Sequence, residues 1–203
     1  MATRRRMGIA SSKNRTLLVE SAEALLREAG YAAVTARQVA SRAGLKPQLL
    51  YYYFHTMDDL VLAVVRGLNQ KRLERFARAL ASRQPLRALW ELNSNSSGAS
   101  LSSELMSLAV RREALRAEIV RSAELFRRMQ IQALSRLLGE QGVDQKAFPA
   151  AGIVMLAAAL ARTIVTESAL GLSVGHAEAL MFVERAIQQF KVVKPRKRNS
   201  AEN

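Results

Sequence analysis

Residues 30–54 are cut by two glycines and a proline into pieces that fit only a pair of brief helices joined by a tight turn. Thr35-Ala36-Arg37-Gln38 is a capping box: the Thr35 hydroxyl accepts from a free amide of the first turn while Gln38 reaches back to the Thr35 N–H. Val34 and Val39 stand at the two staple positions around that start. Gly44 closes the helix, supplying the left-handed backbone that ends so many helices. Pro47 then suits a first helical position, where its missing N–H is no loss.

This spacing has a mechanical meaning. Ala40 is small enough for two helices to cross closely, Gly44 makes the turn, and Leu50 pins the second helix to a core. The opposite face of residues 46–53 is left free to enter a DNA major groove, which makes the unit a helix-turn-helix. Tyr51-Tyr52-Tyr53-Phe54 follows on the same helix. Successive helical residues point about 100° apart, so the four rings cannot all face inward. Leu50 and Phe54 are expected to be buried, with at least two tyrosines outward.

Elsewhere the chain reads as helix after helix, with no run of period-2 alternation and no Asn-Gly or Asp-Gly hairpin signal. Leu18, Ala22, Leu25, Leu26 and Ala29 recur at helical spacing before Gly30 stops a first helix. Thr56-Met57-Asp58-Asp59 opens a long fourth helix running towards Ser82, with a capping hydroxyl and acids near the positive helix end. Beyond Pro85, helices are expected at about 86–94, 100–110, 113–139, 146–170 and 176–190, with a polar loop at Asn93–Gly98 and breaks at Gly139/Gly142 and Gly171/Gly175. The prediction is an all-α fold of about nine helices. It comprises a basic arm at 1–14, a three-helix head at 15–55, a helical-bundle body at 56–190 and a basic tail at 191–203.

Composition excludes several functions. With no cysteine there is no thiol nucleophile, disulfide or Cys-ligated zinc, and His55 and His176 form no metal-ligand motif. No phosphate loop, nucleophile elbow or His beside a candidate Ser is present, so no catalytic residue, metal or cofactor is assigned. The apolar run 147–161 is shorter than the roughly 20 residues that span a bilayer and reads as a buried helix. No apolar core follows the basic N-terminus as it would in a secretory signal, so a soluble, cytoplasmic protein is expected. The net charge of +14 is concentrated at the ends, in Arg4, Arg5, Arg6, Lys13 and Arg15, and in Lys191, Lys194, Arg196, Lys197 and Arg198. Such arms meet phosphate, and the first is a candidate for the minor groove. Solvated tails without a partner are the alternative.

The ordered set Gly30-Tyr31, Thr35-x-Arg37-x-Val39-Ala40-x-x-Ala43-Gly44-Leu45, Leu50-Tyr51-Tyr52-Tyr53-Phe54 and Asp58-Asp59-Leu60 resembles the DNA-binding head of the TetR family of bacterial transcription regulators. The resemblance covers residues 15–65. It implies that Thr35 and Arg37 meet the operator backbone or a neighbouring base, that Lys46, Pro47, Gln48 and Leu49 approach base edges, and that Tyr51, Tyr52 and Tyr53 hold phosphates. The chemistry suits those roles, since hydroxyl, phenol and guanidinium donate to phosphate, Arg pairs with guanine and Gln with adenine. The chain departs from the family pattern at Lys46, Gln48 and Leu49, where Ser, Gly and Thr are common, and at Met57, where Lys is frequent. Lys46 and Gln48 therefore imply an unusual operator, and Leu49 suits a thymine methyl.

A single small head reads few base pairs, so a homodimer on double-stranded operator DNA is expected. The Ala- and Gly-rich helix at 146–170 and the apolar helix at 176–190 are the candidate interface, two pairs making a four-helix bundle. The resemblance also implies an enclosed inducer. Trp90, Met106, Phe126, Met129 and Met155 are candidate walls, with Asn93, Arg128 and Thr163 as polar anchors for a small apolar or aromatic ligand. The function predicted is a repressor released from a palindromic operator by that ligand. The rival readings are a sequence-nonspecific DNA-coating protein and a ligand-blind regulator of the same fold.

Overall fold

The computed structural model describes the backbone of residues 2–94 and 99–192 and the side-chain surroundings of 13–94 and 101–190. Among these residues there are nine α-helices and no strand. They are α1 (Ala2–Ala29), α2 (Ala36–Arg42), α3 (Pro47–Tyr53), α4 (Met57–Leu80), α5 (Pro85–Ser94), α6 (Ala99–Val110), α7 (Glu113–Glu140), α8 (Ala150–Ala169) and α9 (His176–Val192), with a 3-10 turn at Tyr31–Ala33. The side chains of Arg4, Arg5 and Arg6, the loop after Ser94 and most of the basic tail lie outside the described residues.

Helix starts follow the local chemistry. The Thr56 hydroxyl accepts the Asp59 N–H at 3.1 Å while the Asp59 carboxylate accepts the Thr56 N–H at 3.0 Å, a complete capping box at the start of α4. Two boundaries differ from the sequence expectation. Helix α1 begins at Ala2, and α8 begins at Ala150 instead of residue 146. Pro149 holds an extended backbone (ψ 127°), so α8 cannot continue back through it, and the bond from the Phe148 N–H to the Asp144 carbonyl at 2.9 Å closes only a single isolated turn before it.

Two compact units divide the chain. The first combines residues up to Arg72 with Ser100–Ser122, and the second combines Leu73–Ala99 with residues from Ala123 onward. In the first, Leu18, Ala22 and Leu26 of α1 form one buried cluster with Val39, Leu50, Phe54, Leu60, Val64 and Leu105. Its polar feature is Glu118, which is buried and accepts from Arg66 at 3.0 Å and from Arg121 at 2.6 Å. The Arg121 hydrogen bond holds the Glu118 carboxyl below its ordinary value of 4.5, and Arg66 adds to this against the opposing effect of burial.

In the second unit, Phe76 meets Phe126 edge-on with ring centres 5.2 Å apart, and Ala79 and Leu89 complete that cluster. Leu134 and Leu138 of α7 pack with Ala150 and Val154 of α8 in another. Helix α5 lies against α8, and Arg87 of α5 is ion-paired with Glu184 of α9. The expectation of a buried apolar helix is corrected here. Only Ala150, Val154 and Ala161 of α8 are buried, and just 17% of its most apolar stretch is covered. Length and composition alone would let α8 cross a membrane. It packs through Ala150, Val154 and Ala161, with Ile153 against the Leu134 cluster, and leaves Met155 and Leu156 exposed.

Candidate nucleic-acid interface

The turn between α2 and α3 is built from backbone hydrogen bonds. The Leu45 N–H reaches the Ala40 carbonyl at 2.9 Å and the Gly44 N–H reaches Ser41 at 3.1 Å, with Gly44 at φ 67°. This pair of bonds around a left-handed glycine is a Schellman motif, and Leu45 packs on the head's core beside it. At the start of α2, the Gln38 N–H donates to Thr35 Oγ1 at 3.3 Å. The capping box is only half formed. The Thr35 N–H is already used by the Ala33 carbonyl at 3.0 Å, so the Gln38 side chain accepts from the Thr35 hydroxyl instead, at 3.2 Å.

Leu50 and Phe54 anchor α3 from below, both buried. Tyr51 and Tyr52 point away from the core, 56% and 73% exposed, and Tyr53 is half-buried with its ring edge-on to Tyr52 at 5.0 Å. Lys46, Pro47 and Gln48 are exposed on the first turn of α3, and Leu49 is half-buried. Thr35 and Arg37 are exposed at the start of α2. One continuous surface of α2 and α3 thus offers hydroxyl, guanidinium, ammonium, amide and phenol groups. Lys13 and Arg15 are exposed on α1, and the Arg15 guanidinium stands 5.1 Å from the Phe54 ring centre. Met57 is half-buried against the head's core, so its departure from the family pattern is a packing choice.

Three features of the head escaped the sequence reading. Arg42 of α2 makes a fork with Glu28 of α1, both contacts at 2.7 Å. Glu104 of α6 accepts the Tyr31 N–H at 2.7 Å across 73 residues. The Arg112 guanidinium lies 4.3 Å from the Tyr31 ring centre. No local pattern signals such distant pairings.

The expected inducer residues are distributed as follows. Met106 lies on the exposed face of α6 in the first unit. In the second, Phe126 is buried in the Phe76 cluster, Met129 packs on that cluster, and Trp90 is half-buried on α5. Asn93 accepts from the buried Gln130 at 3.4 Å. Met155 and Thr163 are exposed on α8. Arg128 lies with Ile131, Gln132, Ser135 and Arg136 along one open side of α7. Gln130 is a buried polar group of this second unit that the sequence reading missed, as Glu118 is of the first. Among the described residues no cluster of His, Asp or Glu is arranged to hold a metal.

An exposed second helix after a tight glycine turn, on an all-helical scaffold, has the form of a DNA-binding helix-turn-helix. Residues 18–64 match the family model of the bacterial regulatory proteins of the tetR family, which covers the end of α1, the helix-turn-helix and the start of α4. The fold of the chain is shared with a TetR transcription regulator of Haloarcula marismortui (TM-score 0.69, 20% identity, 88% of this chain and 96% of that one). It is likewise shared with a Saccharomonospora viridis protein described as a transcriptional regulator and crystallised with choline (TM-score 0.70, 20% identity, 88% and 95%). A third structural neighbour is a TetR-family regulator of Mesorhizobium loti (TM-score 0.66, 17% identity, 90% and 97%). At these identities the likeness is one of fold. No curated protein has significant sequence similarity to the chain.

Proposed function

We propose that this chain is a cytoplasmic repressor that binds a palindromic operator as a homodimer and leaves it when a small ligand binds the second unit. The observation that carries the proposal is the outward face of α3, where Tyr51 and Tyr52 stand exposed above a buried Leu50 and Phe54. Two phenol groups presented side by side on a seven-residue helix, beside cations, suit phosphate. Lys46, Pro47, Gln48 and Leu49 then meet base edges, while Thr35, Arg37, Lys13 and Arg15 meet the backbone, with Arg4, Arg5 and Arg6 as an arm.

Dimerisation is supported by the uncovered side of α8 and α9. Leu156 and Phe182 are 73% and 72% exposed, and Met155, Leu180 and Met181 are exposed with them. A second copy of the chain covers this surface in the proposed dimer, as in a four-helix bundle across a two-fold axis.

For the ligand, the supporting observations are the buried Gln130 amide bonded to the half-buried Asn93, and the soft apolar Phe126 and Met129. A structural neighbour was crystallised with choline, and a small, largely apolar molecule with one polar end would suit an amide pair beside Phe126 and Met129. Helix α4 contributes Met57–Arg72 to the first unit and Leu73–Leu80 to the second, so it is the proposed conveyor of the signal. A 100-fold loss of operator affinity requires a coupling of about 2.7 kcal/mol, supplied by different ligand affinities of the two states. Sedimentation of the protein on a duplex selected from a random-sequence pool tests the proposal. Two chains per palindromic duplex are expected, and one chain on a single half-site would contradict it.

A further inference from the structure

The turn that delivers the chain into α2 is held from outside the helix-turn-helix. Tyr31 opens the 3-10 turn, so its N–H has no partner within the turn, and Gly30 before it has no side chain with which to cap it. Glu104, the one charged residue of α6, provides the missing acceptor at 2.7 Å. Gly30 makes the approach possible. It adopts φ +72°, and a Cβ there would stand 3.2 Å from Glu104 Oε1. Arg112, just after α6, grips the other side of the same residue, with its guanidinium 4.3 Å from the Tyr31 ring centre and its Nε 3.3 Å from Asp58 Oδ1.

An unbroken series of hydrogen bonds leads from this grip to the DNA-facing surface. The Tyr31 carbonyl accepts from Val34 at 2.9 Å, the Ala33 carbonyl accepts from Thr35 at 3.0 Å, and Thr35 Oγ1 caps α2 through Gln38. Helix α2 in turn holds α3 through the Leu45–Ala40 bond. A neutral water-exposed turn would be free to fray. A charge-assisted bond to a backbone donor is about twice as strong as a neutral one.

We propose that Glu104 and Arg112 are positioning residues for DNA binding: from α6 and the segment after it, they fix the Tyr31–Ala33 turn and so the presentation of Thr35, Arg37 and the recognition helix. This rests on the reading that α2 and α3 meet DNA, and the test separates the two. Amide exchange at Tyr31 and core amides of α4 is measured in the full-length wild type, Glu104→Leu, Glu104→Gln and Arg112→Leu. Affinity is measured by anisotropy for a duplex selected by the wild type. If no duplex is enriched, the operator reading fails and a mixed-sequence duplex at low salt serves as the probe.

In Glu104→Leu, Tyr31 exchange should rise about tenfold or more while the α4 core stays protected, and DNA affinity should fall about fivefold or more. Glu104→Gln keeps a neutral acceptor and should recover most of both, and Arg112→Leu should lower affinity with the core intact. Unchanged Tyr31 exchange in Glu104→Leu would overturn the proposal, as would full DNA affinity with the turn opened. Loss of protection throughout the head that Glu104→Gln does not restore would assign Glu104 to stability alone and also overturn it.

Discussion

The Arg42 guanidinium and the Glu28 carboxylate meet as a two-pronged pair, each contact 2.7 Å, which ties α2 to α1 at the edge of the head. The geometry is good, but the side chains are 41% and 54% exposed, so water and salt screen most of the attraction. A double-mutant cycle of Arg42→Ala and Glu28→Ala should give a coupling of about 0.2–1 kcal/mol that shrinks in high salt. A larger, salt-insensitive coupling would show that the fork is a principal support of the helix-turn-helix.

Glycines 30 and 44 should differ in what an added methyl does. Both have positive φ, but Gly44 has open space at its Cβ position whereas Gly30 faces Glu104 Oε1 at 3.2 Å. Gly44→Ala should cost about 1 kcal/mol, the backbone term alone. Gly30→Ala should cost more, since the carboxylate must also give way. Urea denaturation of the two variants checks the order.

The helices and the head were legible because their signals are local. Thr35, Gly44, Pro47 and Thr56 act on backbone atoms within a few residues, so position in sequence already states position in space. The Tyr31–Glu104 contact spans 73 residues and depends on how α6 packs, which no pattern around either residue encodes. Helix α8 was misread for a related reason. Apolar composition reports a need for burial, and Met155 and Leu156 leave that need unmet within the chain. The inducer residues were the least legible, because Met and aromatic side chains at helical spacing serve a packed cluster as readily as a pocket.

Stability should fall in acid through Glu118. Its carboxyl is held below the ordinary 4.5, chiefly by Arg121 and also by Arg66, so its contribution is fully present above that value. The contribution is lost as pH falls through the lowered folded value. Comparing urea midpoints at about pH 6 and about pH 3, Glu118→Gln should lose less than the wild type. An equal loss in both would place the acid sensitivity elsewhere.

Core and surface substitutions on α3 should separate stability from binding. Leu50→Ala removes a fully buried side chain and should cost about 2–5 kcal/mol. Tyr52→Ala, on a residue 73% exposed, should leave the melting curve within about 0.5 kcal/mol of wild type while weakening DNA binding. Thermal denaturation with a parallel anisotropy titration reads both effects.

Leu156→Glu and Phe182→Glu place charges on the uncovered apolar surface of α8 and α9. Each should shift the proposed dimer towards monomer in analytical ultracentrifugation while circular dichroism keeps its helical signal. A variant that stays fully dimeric would move the interface to another surface.

The central claim, that the outward face of α3 reads DNA as a symmetric pair, is tested most directly by selecting duplexes from a random pool with the wild type and with Gln48→Ala. The wild type should enrich a palindrome whose half-sites lie roughly 34–36 Å apart, or modestly further. Gln48→Ala should enrich the same palindrome with its preference relaxed at one symmetry-related pair of positions. An asymmetric motif, no motif, or a motif that Gln48→Ala leaves unchanged at every position would contradict the account.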